Sequence, residues 1–201
     1  MICPIKKRGG RERSGGWTLR YVDNIYQIKN ILPTQDFLNL GEEFNSRFNI
    51  WRFNKNEDYV EGHPDRGCIF KPRSDSDTIG DNLVFIKYGS LLKYVCQKYV
   101  GKRLKLYRIN TNIQFLGQES NFHVDGGEGS WTLNIFINNW NTGWGGQFVI
   151  QTKDRDYFYY PYIPNNAILF PGNLEHMGHA PNVLAREPRL TIAFSYQELT
   201  S

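Results

Sequence analysis

Apolar residues in the second half of the chain fall into short alternating, β-branched or aromatic runs, each closed by Gly, Pro, Asn or Asp. The pattern predicts strands over 104–109, 131–137, 147–151, 157–160, 167–170 and 189–196. Strands this short, at this spacing, suit a double-sheet barrel or jelly roll in which each strand turns one face inward. The first half reads differently. Phe37, Leu38, Leu40 and Phe44 lie near helical spacing behind Pro33-Thr34-Gln35-Asp36, where Thr34 or Asp36 can cap a helix start. Leu92, Val95, Cys96 and Tyr99 share a face of a second predicted helix over 91–99, which Gly101 stops. Both helices are expected to buttress the strands. Between them, 54–81 is rich in charge, Gly and Pro and reads as a long irregular segment suited to a lid.

Length and composition narrow the class. A chain of 201 residues supports one core-bearing domain. With 40% hydrophobic and 15% aromatic residues it is neither disordered nor collagen-like. The expected division is a basic, flexible arm over 1–20 and a single domain over 21–201, with helical support over 21–103 and the β core over 104–197. The arm carries Lys6, Lys7, Arg8, Arg11, Arg13 and Arg20 against Glu12 alone, a net +5 that leaves −1 for the rest. No nucleic-acid motif accompanies it, so a nucleic-acid partner is not expected. No apolar run reaches the roughly 18 residues that span a bilayer, and the start lacks a secretory apolar stretch, so a soluble, cytoplasmic protein without a membrane partner is expected. Cys3, Cys68 and Cys96 have no metal-binding spacing and cannot all pair, which predicts reduced thiols, the last buried on a helix.

The chemistry begins at His123-Val124-Asp125. In an extended segment, side chains two apart share a face, so an imidazole and a carboxylate converge. The polar turn Gly117-Gln118-Glu119-Ser120 precedes them and the glycine-rich turn Gly126-Gly127-Glu128-Gly129 follows, which suits a strand mouth. Downstream, past Pro171-Gly172, stand His176 and His179. Two imidazoles and one carboxylate on one side of a metal make the facial triad of non-haem Fe(II) oxygenases. Arg189 then opens an otherwise apolar strand in which Arg189, Thr191 and Ala193 face one way. A buried guanidinium needs an anion, and a dicarboxylate would supply it.

These elements, His-x-Asp, a Trp-x3-Trp-Gly-Gly turn, a distal histidine and a terminal Arg-x-Thr strand, resemble the 2-oxoglutarate- and Fe(II)-dependent dioxygenases, in their prolyl 4-hydroxylase-like branch. The resemblance covers about 104–197. It implies a mainly β fold with supporting helices, a double-stranded β-helix of jelly-roll, cupin-like form. It further implies that His123, Asp125 and one later histidine hold iron, and that Arg189 binds the far carboxylate of 2-oxoglutarate. His176 is the favoured later ligand over His179. It stands six residues past Phe170 in Phe-Pro-Gly-x-x-x-His, and a strand opening there puts the small Gly178 and Ala180 inward, whereas Pro181 would interrupt a strand begun at His179. Asn134, Asn112 and Thr191 are further candidates for cosubstrate contact, with Gln114 beside them. Trp140 and Trp144 read as anchors of a glycine hairpin, and the tyrosines of 157–162 as core and rim or as a peptide groove. His63 reads as a loop residue.

The expected reaction consumes 2-oxoglutarate and O2, releases succinate and CO2, hydroxylates a C–H bond, and is supported by ascorbate. The expected substrate is a proline-containing protein or peptide. A small molecule such as a free amino acid is the alternative, and a non-catalytic jelly-roll binding module the reading of another class.

Overall fold

A computed structural model describes residues 3–7, 20–46, 51–54, 69–72 and 83–199, with side chains over 24–45 and 83–199. In chain order the elements are β1 (Cys3–Lys7), β2 (Arg20–Ile28), α1 (Thr34–Ser46), β3 (Trp51–Asn54), β4 (Ile69–Pro72), α2 (Leu83–Val100), β5 (Leu104–Gln114), β6 (Ser130–Phe136), β7 (Phe148–Gln151), β8 (Tyr157–Tyr160), β9 (Ala167–Pro171), β10 (His176–Gly178) and β11 (Arg189–Glu198). A six-stranded sheet runs β1-β2-β9-β6-β11-β5, and a smaller one runs β10-β7-β8. The 123 region extends the smaller sheet, because the main-chain N–H and C=O of His123 and His176 bond each other at 3.1 and 2.9 Å. All pairings are antiparallel. The architecture is the expected one, a double-stranded β-helix backed by two helices.

Two apolar clusters hold it. Leu40 and Phe44 of α1 and Phe85, Leu92 and Cys96 of α2 meet Leu133, Ile135, Ile192 and Phe194 on the outer face of the large sheet. Tyr88 of α2 donates to Asp36 Oδ1 of α1 at 3.0 Å, tying the two helices together. The second cluster lies between the sheets, where Phe136, Ile168 and Phe170 meet Phe148, Ile150 and Tyr160. Burial of whole aromatic and branched side chains on this scale is the main stabilising term.

Three local readings change. β2, within the expected helical support, is a strand of the large sheet, and it pairs with β9 through Tyr26↔Leu169 to Ile28↔Ala167. Asn24 takes φ +55°, which breaks the two-residue period and hides the strand from a pattern search. α2 begins at Leu83, eight residues before the expected start. β5 runs to Gln114, five residues beyond its expected end, because its later inward positions are polar. Of the expected arm, Cys3–Lys7 is paired with β2. Of the expected irregular segment, Ile69–Pro72 is paired with β3. Apart from Arg20 in β2 and Asn54 in β3, the rest of both, including the lid reading, His63 and Cys68, lies outside the described residues. Cys96 is the buried helical thiol the sequence predicts. No helix among the described residues is long and apolar enough to cross a membrane.

Candidate active site

Alternation along β5, β6 and β11 lines one face of the large sheet with polar residues. Arg108, Asn110, Asn112 and Gln114 come from β5, Thr132 and Asn134 from β6, and Arg189 and Thr191 from β11. With His176 and Gly178 of β10 and Phe148 of β7 opposite, they enclose a cavity of about 210 Å³.

At one end stand His123, Asp125 and His176, with one candidate ligand atom of each within 4.8 Å of the others. The ring centroids of the two histidines are 4.4 Å apart, and His176 Nε2 lies 3.5 Å from Asp125 Oδ2. Nδ1 of His123 lies 2.9 Å from the Asn121 carbonyl, and Nδ1 of His176 lies 3.0 Å from the Leu174 carbonyl. Carbonyls only accept, so each Nδ1 carries a proton and Nε2 is the nitrogen each ring has left to offer a cation.

Burial pushes the His176 imidazole down to about 4, against the opposing pull of Asp125, so it is neutral near pH 7. Burial alone would raise the Asp125 carboxyl, but His176 and Arg108, with a hydrogen bond from Thr132, hold it below its ordinary value. A neutral imidazole beside an ionised carboxylate is the protonation state that metal ligation requires. Asp125 accepts from Arg108 Nη2 at 2.9 Å through Oδ1 and from Thr132 Oγ1 at 2.7 Å through Oδ2.

Arg189 sits at the other end and is 2% exposed. Its Nε donates to the Gly146 carbonyl at 2.9 Å and its Nη1 to Gln114 Oε1 at 2.7 Å, while Nη2 is buried without a partner. Phe136 and Tyr162 flank the guanidinium, with ring centroids 5.9 and 5.6 Å from Cζ. No carboxylate among the described residues pairs with it. Burial lowers its pKa to about 10, which leaves it charged at neutral pH. Two glycines make room for this group. A Cβ on Gly146, itself at φ +72°, would come within 2.9 Å of Trp140 and 3.3 Å of Arg189 Cδ. A Cβ on Gly178 would meet Gln114 Oε1 at 2.8 Å and Arg189 Nη1 at 3.0 Å. The small residue expected to face inward at Gly178 thus makes room for the arginine.

The structure brings the seven candidate residues, His123, Asp125, His176, Arg189, Asn134, Asn112 and Thr191, to one cavity. His179 is not on its wall: its Nδ1 lies 3.1 Å from Glu119 Oε2, and its ring stacks on Tyr159. Trp140 and Trp144 pack edge to face, and Trp140 Nε1 donates to the Gly145 carbonyl at 3.1 Å, as the hairpin-anchor reading expects. Tyr160 and Tyr162 belong to the core, whereas Tyr157 and Tyr159 are exposed. Sequence reasoning missed Arg108 and Asn110 as neighbours of the site. The signal was present in β5, where four polar residues recur every second position within a strand of a buried sheet.

The same arrangement of sheets occurs in solved structures. A prolyl-4-hydroxylase from Pseudomonas putida matches with a TM-score of 0.65 and 14% identity, over 89% of this chain and 94% of that one. The chain has the fold of the 2-oxoglutarate/Fe(II) oxygenases. A prolyl hydroxylase from Trichoplax adhaerens, in complex with a hypoxia inducible factor oxygen degradation domain peptide fragment, matches with a TM-score of 0.63 and 15% identity, over 88% and 84%. The epimerase SnoN, in complex with Fe3+, alpha ketoglutarate and nogalamycin RO, matches with a TM-score of 0.66 and 10% identity, over 88% and 79%. No family model and no curated protein matches the sequence.

Proposed function

We propose that this protein is an Fe(II)- and 2-oxoglutarate-dependent dioxygenase that hydroxylates a C–H bond of a prolyl residue in a protein or peptide. The observation that carries the reading is the pairing, within one cavity, of a His-Asp-His cluster with a buried guanidinium whose Nη2 lacks a partner. Both halves fit the groups assigned to them. Two Nε2 atoms and a carboxylate oxygen are a donor set for Fe(II) that leaves coordination positions open. A dry, uncompensated guanidinium fits the distal carboxylate of a 2-oxo diacid.

Iron, 2-oxoglutarate and O2 together supply the oxidising chemistry, with succinate and CO2 as co-products and ascorbate as the reductant that keeps the metal ferrous. The chain contributes binding and orientation. His123, Asp125 and His176 would hold the metal, with His176 neutral and Asp125 ionised as binding requires. Arg189, kept in place by Gln114 and the Gly146 carbonyl, turns Nη2 toward the diacid, with Thr191, Asn112 and Asn134 as the polar wall along its length. Phe148 of the smaller sheet and Phe170 of the large one give the cavity its apolar wall and limit water.

The prolyl peptide substrate rests on the sequence resemblance and on the fold shared with two prolyl hydroxylases, one of them bound to a peptide. Fe(II)-reconstituted protein should form succinate from 2-oxoglutarate, and mass spectrometry should show a gain of one oxygen atom on peptides in a proline-rich panel. Oxygen gained by free amino acids but by no peptide would move the substrate to the small-molecule class. A protein that neither binds nor consumes 2-oxoglutarate would be the non-catalytic module.

A further inference from the structure

We infer that Arg108 is a positioning residue of the metal centre, which holds Asp125 Oδ1 away from the metal so that the carboxylate ligates through Oδ2 alone. The inference rests on the metal reading above. It starts from the register of the large sheet. Arg108 of β5 stands opposite Ser195 of β11, and Ser195 stands opposite Thr132 of β6. The small central residue lets the two longer ones rise on either side of it toward Asp125, whose main chain is fixed by its N–H bond to the Gly172 carbonyl at 2.8 Å.

The two donors divide the carboxylate. Arg108 Nη2 donates to Oδ1 at 2.9 Å and also to the Asp125 main-chain carbonyl at 2.9 Å. One nitrogen therefore ties the side chain to its own backbone and fixes the carboxylate's rotation. Oδ2 faces His176 Nε2 and accepts from Thr132 at 2.7 Å, which leaves its second lone pair toward the cluster. For Asp125 to ligate through both oxygens, Oδ1 would have to turn away from a cation that is itself 22% exposed and whose Nε is already buried without a partner. Breaking a partly buried charge-assisted bond opposes that rotation. A carboxylate limited to one oxygen keeps a coordination position that a two-oxygen carboxylate would consume, and the cosubstrate and O2 need those positions.

The test uses Co(II), whose visible absorption reports coordination number, on the wild-type protein, Arg108→Gln and Arg108→Lys. Arg108→Gln should change the Co(II) spectrum and weaken Co(II) binding by about 10- to 100-fold, the usual cost of losing an outer partner of a ligand. Arg108→Lys, which keeps a cationic donor for Oδ1, should restore the wild-type spectrum. An Arg108→Gln protein with wild-type spectrum and affinity overturns the inference. If that variant does not fold, the wild-type protein carries the test: on loading with Zn(II), the Arg108 Nη protons should stay protected from exchange by NMR, and their release on loading would overturn it. Wild-type protein that binds neither cation would instead count against the metal reading itself.

Discussion

Along β11, Leu190, Ile192 and Phe194 point into the helix-covered core, while Arg189, Thr191 and Ala193 point into the cavity. β6 divides in the same way, with Leu133 and Ile135 outward and Thr132 and Asn134 inward. Burial does not separate the two faces: Arg189 is 2% exposed and Thr191 1%, against 5% for Leu190 and 0% for Ile192. The difference lies in what an unpartnered polar atom means on each side. Thr111 Oγ1, on the outer side of β5 beside Ile113, is buried without a partner among apolar neighbours, so its desolvation is an uncompensated cost. Arg189 Nη2 is equally unpartnered but borders a cavity, where a ligand can satisfy it. One face stores stability and the other stores binding capacity.

The contrast can be broken most forcefully on the apolar side. Phe194→Ala should cost about 3–5 kcal/mol by urea unfolding, the range for emptying an aromatic site in a core, while the folded fraction still binds metal. A smaller effect comes from pH, on the cavity side. Native His176 stays neutral down to about 4, whereas an unfolded histidine takes up a proton below about 6.5. The unfolded state therefore binds more protons between those values, and metal-free protein should lose about 3 kcal/mol as pH falls through that window. His176→Gln should lack this loss. Arg189→Met should weaken 2-oxoglutarate binding by about 10- to 150-fold, the worth of a hydrogen bond to a charged group, yet leave thermal stability little changed, because relief of a buried charge with no counter-ion offsets the hydrogen bonds lost to Gly146 and Gln114. Calorimetric titration and a melting curve on the same sample would check both. Least in size, Thr111→Val should stabilise the fold by about 1 kcal/mol and leave cosubstrate binding untouched, since it removes an orphan hydroxyl that is not on the wall of the cavity holding Arg189.

How much was readable beforehand follows from the same two faces. The apolar strands near 131–137, 157–160 and 167–170 stand out in the sequence because their periods are set by burial against other apolar groups. The part of β5 beyond Ile109 does not, because polar residues such as Asn112 and Gln114 look like turn or edge-strand residues until a cavity is known to lie beside them. β2 escaped for a backbone reason, the left-handed Asn24 in its middle. The metal cluster was legible because His-x-Asp needs only an extended backbone to share a face. The choice of distal histidine turned on a one-strand register: β10 starts at His176, and His179 lies beyond it beside Glu119.

The sequence by itself determined which side chains could supply the chemistry, where most strands would lie, and that an arginine at 189 would require an anion. Those are properties of local period and of charge, which the chain carries whether or not it is folded. Tertiary structure alone decided that Gln114 and Gly146 occupy two of the Arg189 nitrogens and leave the third free, and that Arg108 and Thr132 divide the Asp125 carboxylate. These contacts join residues far apart in the chain through the register of antiparallel strands, and no local pattern encodes such a register.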